Sequence, residues 1–181
     1  MSASIFLSYP KPSFRRQEEF IARVQEYLRE RGFAPRTVGV TDYDLEAPLM
    51  TVRRLMLESN GLLTIAFRRT FVETSMERRG TDIEGLREKE IKDHWLTSPW
   101  AQIEPAMAFQ LGLPILIFRE EGVHADGVLE QGVVGLYMPE FTLDKPMDKY
   151  FNSVEWKTII QKWEGYVRAV INQKGRPPQV F

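Results

Sequence analysis

A chain of 181 residues, 43 % of them hydrophobic, is sized for one compact domain with a good core. Its 24 Lys+Arg and 25 Asp+Glu nearly cancel and are interspersed, which argues against nucleic acid or an anionic membrane as the main partner. No apolar run approaches the ~20 residues that cross a bilayer. The start lacks the charged region and long apolar core of a signal peptide, and there is no cysteine for a disulfide, thiol nucleophile or zinc–thiolate site. A soluble, cytoplasmic protein is the expectation.

Residues 4–9 (SIFLSY) form an apolar run too short for a helix, so they predict a buried strand with Ser8 and Tyr9 at its carboxyl end. Pro10 and Lys11 open a loop in which Ser13 is placed to cap the next helix. Over about residues 16–31, Phe20, Ile21, Val24, Tyr27 and Leu28 fall at helical spacing, and Gly32 ends the run. Residues 33–40 read as a second strand, near a sheet edge because Pro35 cannot donate to a ladder. The acidic stretch TDYDLEAPLM is a loop leading to a helix over about residues 50–59, which Asn60-Gly61 stops. Residues 62–67 (LLTIAF) are a third buried strand, and the βαβαβ order points to a parallel sheet with helices on both faces.

Residues 68–94 break this rhythm with a run rich in both charges. They read as a solvated excursion carrying a short surface helix, or as a lid or partner surface beside a site. The next stretch, WLTSPWAQIEPAMAFQLGLPILIF, holds two tryptophans, the carboxylate Glu104, a small-residue helix, a turn at Gly112 and a fourth strand over residues 113–118. Residues 133–138 read as a fifth strand after a glycine-bearing loop. The last helix spans about residues 154–173, where Trp156, Ile159, Ile160, Trp163, Val167, Val170 and Ile171 form one apolar stripe, and residues 174–181 are a frayed tail. No linker or repeat divides the chain. The expected architecture is a single α/β domain over residues 1–181, a flavodoxin-like three-layer sandwich on about five parallel strands with right-handed crossovers.

In such sheets ligands bind outside the carboxyl ends of the strands, beside the first strand. That gathers residues 8–11, the loop 41–48 and the entry to the helix carrying Glu104. Neither a P-loop nor a G-x-G-x-x-G follows the first strand. His94 and His124 stand apart in polar surroundings, without a nucleophile elbow or metal-ligand spacing. Glu104 remains. A glutamate opening a helix is ordinary, since the dipole favours it there by ~0.3–1 kcal/mol, and Pro105 fits a first helical turn. If the carboxylate faces the cleft, it is the candidate for chemistry.

Three short motifs carry a resemblance. IFLSYP resembles the first strand of Toll/interleukin receptor (TIR) domains, Leu45-Glu46-Ala47 sits where they carry the loop after their second strand, and Ser98 to Glu104 (SPWAQIE) is similar to the Trp-x-x-x-Glu element of the enzymatic members. The resemblance implies that Glu104 is the catalytic carboxylate in cleaving the nicotinamide–ribose bond of NAD, with Trp100 its aromatic neighbour. Ser8, Tyr9, Pro10, Lys11, Asp42, Tyr43, Leu45, Glu46 and Ser98 would line the pocket, and Lys11, Arg15, Arg68 and Arg69 are the basic candidates for the pyrophosphate. NAD would be substrate, with no cofactor or metal. Partners would be NAD or a related nucleotide and a second copy or an effector or sensor protein. The output would be NAD depletion or a nucleotide messenger in bacterial antiphage defence. Pro48 in place of the loop glycine, Pro105 after Glu104 and the long excursion depart from the family. The competing expectations are a non-catalytic TIR-like interaction module and a nucleoside 2-deoxyribosyltransferase-like enzyme.

Overall fold

The computed structural model describes residues 3–171 of the chain. Strand β1 (Ala3–Ser8) is followed by helix α1 (Arg15–Glu30), strand β2 (Phe33–Arg36), helix α2 (Pro48–Leu57) and strand β3 (Leu62–Ala66). A hairpin of β4 (Thr70–Glu77) and β5 (Lys89–Leu96) comes next, then helix α3 (Trp100–Gln110) and strand β6 (Ile115–Glu120). A 3-10 turn at Gly127–Leu129, strand β7 (Glu140–Phe141), helix α4 (Met147–Phe151) and helix α5 (Val154–Ile171) follow.

The five strands of the main sheet run parallel in the order β2-β1-β3-β6-β7. Their near-continuous apolar sequences are what a sheet covered on both faces requires. Ile5, Leu7, Leu63, Ile65 and Phe118 point to the layer of α1 and α5, where Phe20, Val24, Leu28, Trp156, Ile160 and Val167 meet them. Phe6 and Leu62 point the other way, against Val52, Leu55 and Met56 of α2 and Ala108 of α3. The result is an α/β three-layer sandwich of the flavodoxin type. Each large apolar side chain taken fully from water contributes roughly 1.5–3 kcal/mol, and Trp163 also places its indole N–H 3.2 Å from the Pro114 carbonyl.

Several boundaries differ from the sequence expectation. β1 ends at Ser8 and β2 at Arg36, while α2 begins at Pro48, whose missing N–H costs nothing in a first turn. Ser13 does not cap α1; Phe14 occupies the cap position, and the Ser13 N–H donates to the Gln17 side chain at 2.8 Å. The fifth strand is Glu140–Phe141 rather than residues 133–138. That stretch is turned at Gly132–Gly135 by a 2.8 Å backbone bond, leaving Leu136 and Tyr137 exposed. Asn172, Gln173 and the expected tail 174–181 lie outside the described residues.

The excursion at 68–94 is a hairpin, not a surface helix. Thr70, Phe71, Val72 and Thr74 favour extended backbone, and a ribbon exposed on most of its surface accommodates the charges. Trp95 anchors it to the loop after β6, donating to Gly122 O at 3.0 Å and accepting from the His124 N–H at 2.8 Å. His94 therefore lies in a strand, buried 5.3 Å from the His124 ring, not in a loop. No helix among the described residues is long and apolar enough to cross a membrane.

At Gly61, just before β3, α5 lies close against the backbone. A Cβ there would stand 2.8 Å from Val167 Cγ2 and 3.3 Å from Trp163 Cζ2. Gly61→Ala is expected to destabilise the fold by about 1–3 kcal/mol in urea unfolding, with partial recovery on adding Val167→Ala.

Candidate active site

Strand order reverses between β1 and β3, since the chain passes from β1 out to β2 and from β3 out to β6. The crevice this opens lies beyond the carboxyl ends of the two strands. There a hollow of about 410 Å³ is lined by Ser8, Tyr9, Pro10 and Lys11 from the end of β1, and by Ser98, Trp100 and Glu104. Thr37 and Val38 after β2, Pro48 and Val52 of α2, and Arg69 at the foot of the hairpin complete the wall. The volume lies within the ~300–1,000 Å³ typical of small-molecule sites.

Trp100 is the first residue of α3 and Glu104 stands one turn later on the same face, so the two share one helix. Glu104 does not open that helix. The dipole acts mainly within the first turn, and Pro105, inside the helix, withholds the N–H that the Ala101 carbonyl would accept. Burial decides the charge instead. Glu104 is 7 % exposed, its hydrogen-bond partner among the described residues is the Ser8 hydroxyl, which donates to Oε2, and no cation is paired with it. Loss of hydration pushes its carboxyl up to about 7, with the Ser8 bond opposing. The expectation of a carboxylate kept ionised by a helix end is thereby corrected.

The other site residues divide. Tyr9 is half-buried, and burial raises its phenol above the ordinary value while the Thr37 hydroxyl opposes this. Thr37 also donates to the Leu7 carbonyl at 2.8 Å, fixing the end of β2 against β1. Trp100 is 36 % exposed and offers part of its indole to the mouth. Lys11 and Arg69 stand at the rim. Arg68 is turned away, with Nε 2.5 Å from the Glu121 carbonyl and ion pairs to Glu120 and Asp144 at 3.8 Å, and Arg15 is not in the wall.

The loop residues Asp42, Tyr43, Leu45 and Glu46 also stand outside the wall. Asp42 is held by the Arg36 guanidinium, which keeps its carboxyl below the usual range, and accepts from the Thr41 hydroxyl at 2.7 Å. Tyr43 is 78 % exposed, and Leu45 and Glu46 point into solvent. Of that loop and the start of its helix, Pro48 alone of the expected residues reaches the hollow. Sequence reasoning missed Thr37 because the expected second strand ran to residue 40 and put it mid-strand, whereas β2 ends at Arg36. Among the described residues no group of three or more His, Cys, Asp or Glu side chains is arranged to hold a metal ion.

No protein-family model matches the chain, and no curated protein matches it in sequence. Solved structures give distant likenesses. The CMP N-glycosidase BcmB of Clostridium botulinum is 15 % identical with a TM-score of 0.46, over 84 % of this chain and 98 % of that one. The TIR domains of the activated Roq1 resistosome, which directly recognizes the pathogen effector XopQ, are 12 % identical at 0.41, over 96 % and 86 %. FerB, a flavoenzyme NAD(P)H:(acceptor) oxidoreductase from Paracoccus denitrificans, is 10 % identical at 0.36, over 95 % and 96 %. At such distances the chemistry of the hollow is read from its own residues.

A carboxyl whose folded value is raised binds more protons folded than unfolded between its two pKa values, so stability falls as pH rises across that window. Moving from 4.5 to about 7, Glu104 is expected to cost about 3 kcal/mol of stability by pH 8 and almost nothing near pH 4. Denaturant unfolding of Glu104→Gln beside the parent chain checks this. The variant gains on the parent progressively between those pH values.

Proposed function

We propose that the hollow binds NAD and that Glu104 drives cleavage of its nicotinamide–ribose bond, with NAD depletion or a nucleotide messenger in antiphage defence as the output. The observation that carries this reading is a buried carboxyl with one neutral donor and, among the described residues, no paired countercharge, at the carboxyl end of the first strand. Such a group favours a ligand that brings positive charge. When the N-glycosidic bond breaks, its electron pair leaves with nicotinamide, which departs neutral and needs no proton. Positive charge stays on the ribose ring as an oxocarbenium-like centre.

A carboxylate there stabilises that charge directly. At an effective dielectric of 20 a charge 4 Å away is worth about 4 kcal/mol. Water adding to the anomeric carbon gives ADP-ribose, and attack by another group of the same molecule gives a cyclised product. The proton lost by the nucleophile goes to solvent or to Glu104. Trp100 offers a face to a flat base. Lys11 and Arg69, whose side chains enter no ion pair among the described residues, are placed for the diphosphate.

A second reading rests on the same near-neutral carboxyl. A departing purine or pyrimidine, unlike nicotinamide, gains from a proton, which protonated Glu104 could supply to a nucleoside-type N-glycoside.

Incubating the protein with NAD and measuring nicotinamide separates these. The NAD reading expects release that Glu104→Gln lowers at least about a hundredfold, with kcat/KM rising with pH and levelling near 7, where the free carboxyl titrates. Equal release by both proteins removes Glu104 from catalysis. A kcat/KM that falls through that pH, with deoxynucleosides as substrates, selects the second reading. No release of any base from either substrate leaves an interaction module.

A further inference from the structure

The two strands of the hairpin differ in what their outer edges meet. Trp95 turns its N–H and C=O away from β4 toward Gly122 and His124, so β5 is partly covered. That sets the phase of the ladder: Phe71–Trp95 is a non-hydrogen-bonded pair, and Val72–His94, Thr74–Lys92 and Met76–Glu90 are hydrogen-bonded ones. The N–H and C=O groups of Phe71, Glu73, Ser75 and Glu77 therefore point outward, and among the described residues no strand pairs with that edge. Proteins blunt free edges with charged side chains, lysine above all, and with proline, bulges or very short strands. β4 has eight residues, contains neither lysine nor proline although it carries Glu73 and Glu77, and holds the same register with β5 on both sides of a break opposite Glu73, where Asp93 has a φ of 48°.

We propose that this edge pairs antiparallel with β4 of a second copy of the chain, about a two-fold axis at Thr74. Overlap and charge together select the register, since centring the pair on Val72 or Met76 leaves much of the eight-residue strand unmatched. Centring the pair on Glu73 sets Glu73 against Glu73 of the second copy, and centring it on Ser75 sets Glu73 against Glu77 twice. Like charges directly opposed are destabilising. Centring on Thr74 opposes Thr74 with itself, Val72 with Met76, Glu73 with Ser75 and Thr70 with Arg78 of the second copy, so no like charges meet. It also matches Glu73 with Ser75 and Phe71 with Glu77, the residues whose backbone groups already face outward. Two hairpins become one four-stranded antiparallel sheet with a self-complementary interface. This interface adds an assembly to the chain and does not depend on what the hollow cleaves.

Because the chain has no cysteine, single-cysteine variants report the register directly. Opposed residues of a non-hydrogen-bonded pair have Cα atoms ~4.5 Å apart, within disulfide range. Thr74→Cys is expected to form a disulfide-linked dimer under mild oxidation at least about tenfold faster than Glu73→Cys or Ser75→Cys. Ser75→Pro deletes an outward N–H and leaves the β4–β5 ladder whole. It should turn a dimer into a monomer by light scattering, with Tm and far-ultraviolet circular dichroism of the monomer unchanged. A parent chain monomeric at high micromolar concentration overturns the proposal. So does a dimer that survives Ser75→Pro, or three cysteine variants that cross-link at equal rates.

Discussion

Glu104 sits against Ser8 where water is largely excluded, and among the described residues no cation is paired with it. An ionised carboxylate in such surroundings is costly, and a single neutral hydrogen bond does not offset the lost hydration. A structural carboxylate in this chain looks different. Glu164, also buried, accepts from the Tyr27 hydroxyl at 2.6 Å and from Arg31 at 3.0 Å, and so joins α1 to α5 with its charge answered. Glu120 is likewise buried, but the Arg68 N–H and guanidinium approach it. Glu104 alone of these three has no cation paired with it among the described residues, and the proposed chemistry rests on that contrast.

The rest of the fold explains how such a residue is held. β1 and β3 pair in register so that Ser8 lies beside Thr64, and α3 crosses the same face with Glu104 over Ser8. Trp100 and Glu104 are one helical turn apart, so whatever fixes one fixes the other. Ala101 and Ala108, both fully packed, let α3 lie close to the sheet, and Gly61 lets α5 lie close on the opposite face. Stability given up at one carboxyl is recovered across two apolar layers. That exchange is common where a site needs a poorly solvated charge.

Much of this was legible in the residues. Continuous apolar runs at SIFLSY, LLTIAF and LPILIF announce buried parallel strands, and the stripes of α1 and α5 follow their expected spacing. That residues 8–11 and the entry to the helix carrying Glu104 lie near one another is expected from the flavodoxin-like topology, which also gathers the loop 41–48, whereas Trp100 and Ser98 are named from the family resemblance. The hairpin was not legible, because its mixed charges say only that it is solvated, and helix and ribbon satisfy that equally. The loop at 42–46 misled for a different reason: Asp42 has a closer cation in Arg36 than anything in the hollow, a pairing no spacing rule announces. Nor does the sequence reveal that burial pushes the Glu104 carboxyl up to about 7. That depends on which turn of the helix it occupies and on the absence of a basic neighbour, both tertiary facts.

The hairpin bears on the site through its two feet. Arg69 leaves β3 into β4 and Ser98 returns from β5 toward α3, and both lie in the wall of the hollow. An assembly formed through the hairpin would hold those feet while leaving the Glu104–Ser8 contact to the sheet. The central claim concerns that contact, and carbon-13 NMR of a chain labelled in glutamate side chains tests it most directly. The Glu104 carboxyl, assigned by its loss in Glu104→Gln, is expected to titrate near 7 in the free protein. A non-hydrolysable NAD analogue bearing the pyridinium charge is expected to move that titration downward. A carboxyl that titrates near 4.5 without ligand, or one the cationic analogue leaves in place, contradicts the account.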